Sequence, residues 1–119
     1  MKIGINLVRE FHNKFGVPVL STPSLISRDR SFFRYRLMRD EVEEYLRAVR
    51  SRSLEDVAKE LSDILYTVYG TVLEHGLQDK ISQIFAEVHS SNMSKTQSRY
   101  KMIKGPEYFE PNLGQFLKK

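Results

Sequence analysis

The chain has no cysteine. Disulfides, thiolate metal sites and a cysteine nucleophile are therefore excluded, and the absence suits a reducing compartment. Long apolar runs are missing too. No stretch approaches the roughly 18 apolar residues of a membrane span. The opening "MKIGINLVRE" regains charge at Arg9 and Glu10, too soon for a secretory leader. The expectation is a soluble, cytoplasmic protein with no membrane partner. Strand signals are scarce as well, and there is no repeat and no low-complexity tract.

What is present reads as one domain spanning residues 1–119. Hydrophobic residues make up 40% and charged residues 29%, a globular rather than a disordered balance. The net charge of +4 is modest. It favours an anionic ligand without requiring nucleic acid.

Apolar spacing predicts four helices. Leu7, Val8, Phe11 and Phe15 mark the first, over about 4–15, stopped by Gly16. "GVPVLSTPSLIS" then reads as an ordered loop, kept extended by Pro18 and Pro23. Phe33, Leu37, Tyr45 and Val49 mark a second helix over about 30–49. Ser53 is a good N-cap for a third over 54–75, with Glu55 and Asp56 at the positive end of its dipole. Its apolar face is wide: Val57, Leu61, Ile64, Leu65, Val68 and Val72. Asp79 is the expected N-cap of a fourth over 79–93. Residues 94–119 read as an irregular tail whose aromatics, Tyr100 among them, pack down. The fold class is all-α, a four-helix bundle.

The stretch "RLMRDEVEEYLRA" crowds four acids into a basic chain: Asp40, Glu41, Glu43 and Glu44. At about 100° per residue, Glu41 and Glu44 share a helix face, with Asp40 nearly in line. Glu60 and Asp63 share a face of the third helix, beside core candidates Leu61 and Ile64. If the two helices pack antiparallel, as the short "SRS" connection favours, the acidic pairs converge. Two readings stand: a solvated charged face, or a site for a hard divalent cation such as Mg²⁺, Mn²⁺ or Ca²⁺. A di-iron bundle would need a Glu-x-x-His pair on two helices, which "EVEEY" and "ELSDI" do not supply. His12, His75 and His89 lack mutual motif spacing and read as structural or exposed.

Downstream, "HSSNMSKTQSRYKMIKGP" carries Asn92, Lys95, Arg99, Lys101 and Lys104. Such groups suit the phosphate oxygens that a carboxylate-bound metal leaves to its substrate; the plainer reading is a basic tail. "SRDRSFFRYR" has the charge and aromatics to hold nucleic acid, yet Phe33 reads as core and the arginines as an exposed face. No nucleic-acid partner is expected.

These motifs resemble, in order, the all-α nucleotide pyrophosphohydrolases of the MazG and phosphoribosyl-ATP pyrophosphatase superfamily. Their signature is Glu-Glu-x-x-Glu on one helix and Glu-x-x-Asp on the next. "DEVEE" places Asp40, Glu41 and Glu44 in the first half, and "ELSD" places Glu60 and Asp63 in the second. "VREFHNKFGVPV", "IFAEVHSSNMSK" and "KMIKGPEYFEPNL" are similar to the opening, fourth-helix and closing segments. Asp40 departs from the usual glutamate. It is shorter by one methylene, so it reaches a metal through water or not at all.

The resemblance implies Mg²⁺-dependent hydrolysis of a nucleoside triphosphate to the monophosphate and pyrophosphate, with Mn²⁺ as a substitute. Glu41, Glu44, Glu60 and Asp63 would hold metal, with Asp40 as the shorter fifth acid of the motif. Lys95, Asn92 and Lys104 would hold substrate phosphates. The base would lie near Phe11, His12 and Phe15. A homodimer or homotetramer is also implied. The alternatives are phosphoribosyl-ATP hydrolysis and a non-catalytic nucleotide-binding module on the same fold.

Overall fold

The computed structural model describes residues 1–117. Its contacts divide the chain into two compact units, Met1–Gln78 and Asp79–Lys119. The fold is all-α, with four long helices in the expected order.

The first unit holds α1 (Lys2–Phe15), α2 (Arg28–Ser51) and α3 (Leu54–Glu74). Ile5, Val8 and His12 are the buried positions of α1, at helical spacing. Gly16 closes that helix in the left-handed region at φ 70°, where the missing Cβ removes the usual penalty. The following loop is ordered, as its prolines suggest. Leu20 N–H donates to the Leu73 carbonyl at 3.0 Å and Ser24 N–H to that of His75 at 2.9 Å. Gly76, just past α3, is required by this docking: a Cβ there would meet the Thr22 carbonyl oxygen at 2.1 Å.

Helix α2 begins earlier than its apolar pattern suggests, because Ser27 caps it by accepting from the Arg30 N–H at 3.1 Å. Ser53 caps α3 as expected, accepting from the Asp56 N–H at 3.3 Å. Only Arg52 and Ser53 separate α2 from α3, and Arg52 takes φ 62° to make the turn. The pair is antiparallel: Arg30 meets Glu74 at one end, and Ser51 Oγ meets Asp56 at the other. Helix α3 packs on both α1 and α2.

The apolar stripes are wider than the surface this chain covers. The buried apolar residues of the first unit are Ile5, Val8, Ala48, Val72 and Leu73. Leu61, Leu65 and Val49, expected in the core, are 46%, 49% and 41% exposed. Three buried residues of this unit are polar or charged: His12, Arg34 and Glu74.

The second unit holds α4 (Ile81–Met93), strands β1 (Thr96–Gln97) and β2 (Met102–Ile103), and a short α5 (Gly114–Leu117). Lys80, not Asp79, is the N-cap of α4, and no side chain caps it. The tail is less irregular than expected. Its strands pair antiparallel with Thr96 opposite Ile103, a ladder too short to leave a periodic signal. Polar bonds tie the tail to α4: Ser91 Oγ donates to the Phe109 carbonyl at 2.8 Å, and Asn112 N–H to Glu87 at 3.1 Å. Tyr100 does not pack down; it is 86% exposed.

Candidate metal centre and adjoining cleft

The antiparallel α2–α3 pair brings Glu41 of one helix to Glu60 and Asp63 of the other. One carboxylate oxygen from each lies within 4.8 Å of the others, and all three residues are half-buried. Three like charges this close raise one another's proton affinity. The Glu41 carboxyl is held above the usual carboxylate range. Burial contributes most, followed by the charges of Asp63 and Glu60, while Lys59 acts the other way. The donor set is oxygen only, which suits a hard divalent cation and neither zinc nor copper.

Lys59 was not singled out by the sequence, yet it is the cation that meets these acids. Its Nζ stands 2.8 Å from Asp63 Oδ2 and 3.5 Å from Glu60 Oε1. The bond to Asp63 raises its pKa. The signal was available, since residues 59 and 63 form an i,i+4 pair.

Neither of the other two acids is in that 4.8 Å group, although the charge of Glu44 also raises the Glu41 pKa. Glu44 is bonded to Arg47 and, with Glu60, lines a separate polar cleft of about 330 Å³. Asp40 is exposed, and its carboxylate lies 3.2 Å from Arg39. Asn92, Lys95 and Lys104 all belong to the second unit. Asn92 is exposed at the end of α4, and the Lys95 N–H donates to its carbonyl at 3.1 Å. Lys104 lies over the Tyr108 ring and bonds Glu110 at 3.2 Å, which raises its pKa.

A cleft of about 370 Å³ opens on the same α2–α3 pair, lined by Phe11, His12, Phe33, Leu37 and Tyr66 among others. That volume falls in the range of small-molecule sites. Leu37 precedes Glu41 by one helical turn and Tyr66 follows Asp63 by less than one, so the cleft adjoins the acids. Phe11 meets Tyr66 edge-on at 5.5 Å. Phe15 does not line the cleft; it rests against Phe11 at 4.7 Å and is 60% exposed.

His12 is buried, with Nδ1 3.0 Å from the Pro18 carbonyl oxygen. A carbonyl only accepts, so the proton sits on Nδ1 and Nε2 of the neutral ring is an acceptor. Burial lowers the His12 pKa, with a further push from Arg34, and the Pro18 bond opposes it only partly.

At the far end of the cleft Glu74, 1% exposed, is enclosed by Arg30 and Arg34. Arg34 also donates from Nε to Thr71 Oγ1 at 3.1 Å and from Nη2 to the Thr67 carbonyl at 2.9 Å. Gly70 makes room for this network. A Cβ there would stand 2.3 Å from Arg34 Nη2 and 2.9 Å from His12 Nε2. The sequence clue to Glu74 was a lone acid inside the apolar run "YGTVLEHG".

Among known families, the profile of phosphoribosyl-ATP pyrophosphohydrolase matches residues 8–92. That span contains all five motif acids, the cleft and α4 as far as Asn92. A search of curated proteins gives no significant match. The match covers most of the chain, and the helices run in the order its motifs require: the chain belongs to the phosphoribosyl-ATP pyrophosphohydrolase family, within the MazG-like all-α nucleotide pyrophosphohydrolases.

Proposed function

We propose that the chain is a Mg²⁺-dependent pyrophosphohydrolase that cleaves a nucleoside triphosphate to the monophosphate and pyrophosphate. The observation that carries this reading is the like-charged triad Glu41, Glu60 and Asp63 beside an aromatic-lined cleft. Three half-buried carboxylates repel and lose hydration, so a divalent cation relieves a cost that packing alone would avoid.

Glu41, Glu60 and Asp63 would hold the metal, and Glu44 would join them on releasing Arg47. A bound divalent ion would polarise the phosphate chain and acidify a water molecule. A carboxylate of the cluster takes the proton of the attacking water. The family motif assigns phosphate oxygens to Lys95, Asn92 and Lys104. The base rests against Phe11 and Tyr66, with the His12 Nε2 lone pair as an acceptor for its edge.

The test is product analysis with Mg²⁺ and a panel of ribo- and deoxyribonucleoside triphosphates. Monophosphate plus pyrophosphate is the expected result. Replacing Glu60 and Asp63 together by alanine should lower turnover by on the order of 10³-fold or more, since metal assistance supplies several kcal/mol. Circular dichroism should remain helical. Full activity in that variant sinks the assignment. The family name supports a second substrate reading, phosphoribosyl-ATP, which belongs in the same panel. Binding of nucleotide with no product would favour a non-catalytic module.

A homodimer or homotetramer is also proposed. Leu46 and Val49 of α2 and Leu54, Leu61 and Leu65 of α3 are 41–81% exposed, and a second copy would cover them. Sedimentation analysis should give a mass of at least two chains.

A further inference from the structure

We propose that Lys59 is an exchangeable counter-cation, which stands in for the metal and then receives the phosphates. In the metal-free protein its ammonium holds Asp63 and Glu60. A divalent ion entering among the acids releases it, and it turns to an oxygen of the polyphosphate. The assignment rests on the reading that Glu41, Glu60 and Asp63 hold the metal.

The geometry sets Lys59 apart from an ordinary surface lysine. Its Nζ is 2.8 Å from Asp63 Oδ2 and 3.5 Å from Glu60 Oε1. One ammonium thus bridges two of the three clustered acids. Both bonds are made within α3: Asp63 lies about one turn on, and Glu60 is the next residue. The lysine side chain is 68% exposed, against 36% for Asp63 and 14% for Glu60. The ammonium is therefore on the solvent side of the acids, the side from which an ion or a phosphate chain arrives. One ammonium against three carboxyl groups also leaves the charge balance incomplete.

The exchange follows from charge and exposure. An exposed ion pair contributes little, because water screens it and the long side chain gives up freedom to form it. A divalent ion among the same oxygens attracts them more strongly than a single ammonium does, and it repels that ammonium. Lysine swings on a flexible four-carbon stem. Its backbone stays beside Glu60, so the released ammonium remains within reach of the acids. Negative charge arrives next as phosphate, which a lysine meets as a point charge. The same side chain thus has two jobs of opposite sign: it competes with the metal and it assists the anion. A salt bridge that only supports α3 does neither.

The experiment is calorimetry on the full chain, in two titrations. The first adds Mg²⁺ to metal-free protein. Lys59→Met, which keeps a flexible side chain without the charge, should bind Mg²⁺ about threefold tighter or more than the wild type. Lys59→Arg keeps the charge and should stay within about twofold of the wild type. So should Lys2→Met, which removes an exposed charge at the start of α1. The second titration adds pyrophosphate to protein held in excess Mg²⁺. Here Lys59→Met should bind about threefold weaker or more than the wild type. Unchanged or weaker Mg²⁺ binding in Lys59→Met overturns the proposal. So does pyrophosphate binding that is unchanged in Lys59→Met or undetectable in the wild type. If Lys2→Met tightens Mg²⁺ binding as much as Lys59→Met, the effect is one of net charge and the proposal fails. No Mg²⁺ binding by any of the proteins removes the metal reading and this inference together. Both shifts as expected, with no hydrolysis of any triphosphate, would leave the exchange standing and remove the hydrolase reading. Hydrolysis with neither shift would do the reverse.

Discussion

At one end of the α2–α3 pair three carboxylates, Glu41, Glu60 and Asp63, crowd together with an exposed lysine to offset them. At the other end a single carboxylate, Glu74, is enclosed by two arginines and buried. The same two helices therefore solve opposite problems. The buried end satisfies its acid internally, so it can serve the fold without any ligand. Among the described residues, the acidic end is satisfied only by Lys59, a side chain that solvent can strip away. Acids left for a ligand to balance mark a candidate site; an acid paired within the chain supports the fold.

The sharpest way to break this contrast is at Glu74. Glu74→Gln leaves Arg30 and Arg34 without their counter-ion, and removing one partner of a buried pair costs about 3–5 kcal/mol. The melting temperature should drop by about 10 °C or more. A drop of a degree or two would show that the triad is not a support.

Gly70→Ala tests the same end by packing. The added methyl meets Arg34 and His12, both pinned by hydrogen bonds, so the intrinsic helix preference for alanine is outweighed. A loss of about 1–3 kcal/mol, the usual range for overpacking, is expected from denaturant melts.

At the acidic end the response should have the opposite sign. Glu41→Gln removes a repelling charge, so the metal-free protein should melt slightly higher than the wild type. The rise in melting temperature on adding Mg²⁺ should shrink, because a ligand has been lost. A metal-free protein that melts lower after this change would mean the acids are not in conflict.

The smallest expected effect is pH-dependent and comes from His12. Its folded pKa lies below the unfolded value near 6.5. The stability it contributes is therefore complete above that value and is lost as pH falls through the lowered folded pKa. His12→Asn, which keeps a donor for the Pro18 carbonyl, should flatten this part of a melting-temperature profile against pH. An unchanged profile would place the acid sensitivity elsewhere.

Much of this was readable beforehand because it is local. Ser53, Gly16 and the spacing of Val8, Phe11 and Phe15 act within a few residues, so the helices and their order follow from short windows. The acidic halves were legible for the same reason, one helix turn at a time. Glu44 and Asp40 were harder to place, since Arg47 and Arg39 compete for them with the cluster. The Arg30–Glu74–Arg34 triad was missed because its members lie some 40 positions apart, and charged side chains are usually read as solvated. Leu61 and Leu65 read as core from their pattern. The pattern is right about apolar character but does not say which chain covers it.

The connection of Arg52 and Ser53 has an evolutionary consequence. Both halves of the acidic motif hang on opposite sides of this two-residue turn. An inserted residue that joined α3 at its start would rotate the rest of that helix by about 100° against its neighbour and carry Glu60 and Asp63 away from Glu41. Length variation should therefore be purged from this turn among descendants of the chain. The tail after α4, tied down by a few polar bonds, is where insertions and deletions would accumulate.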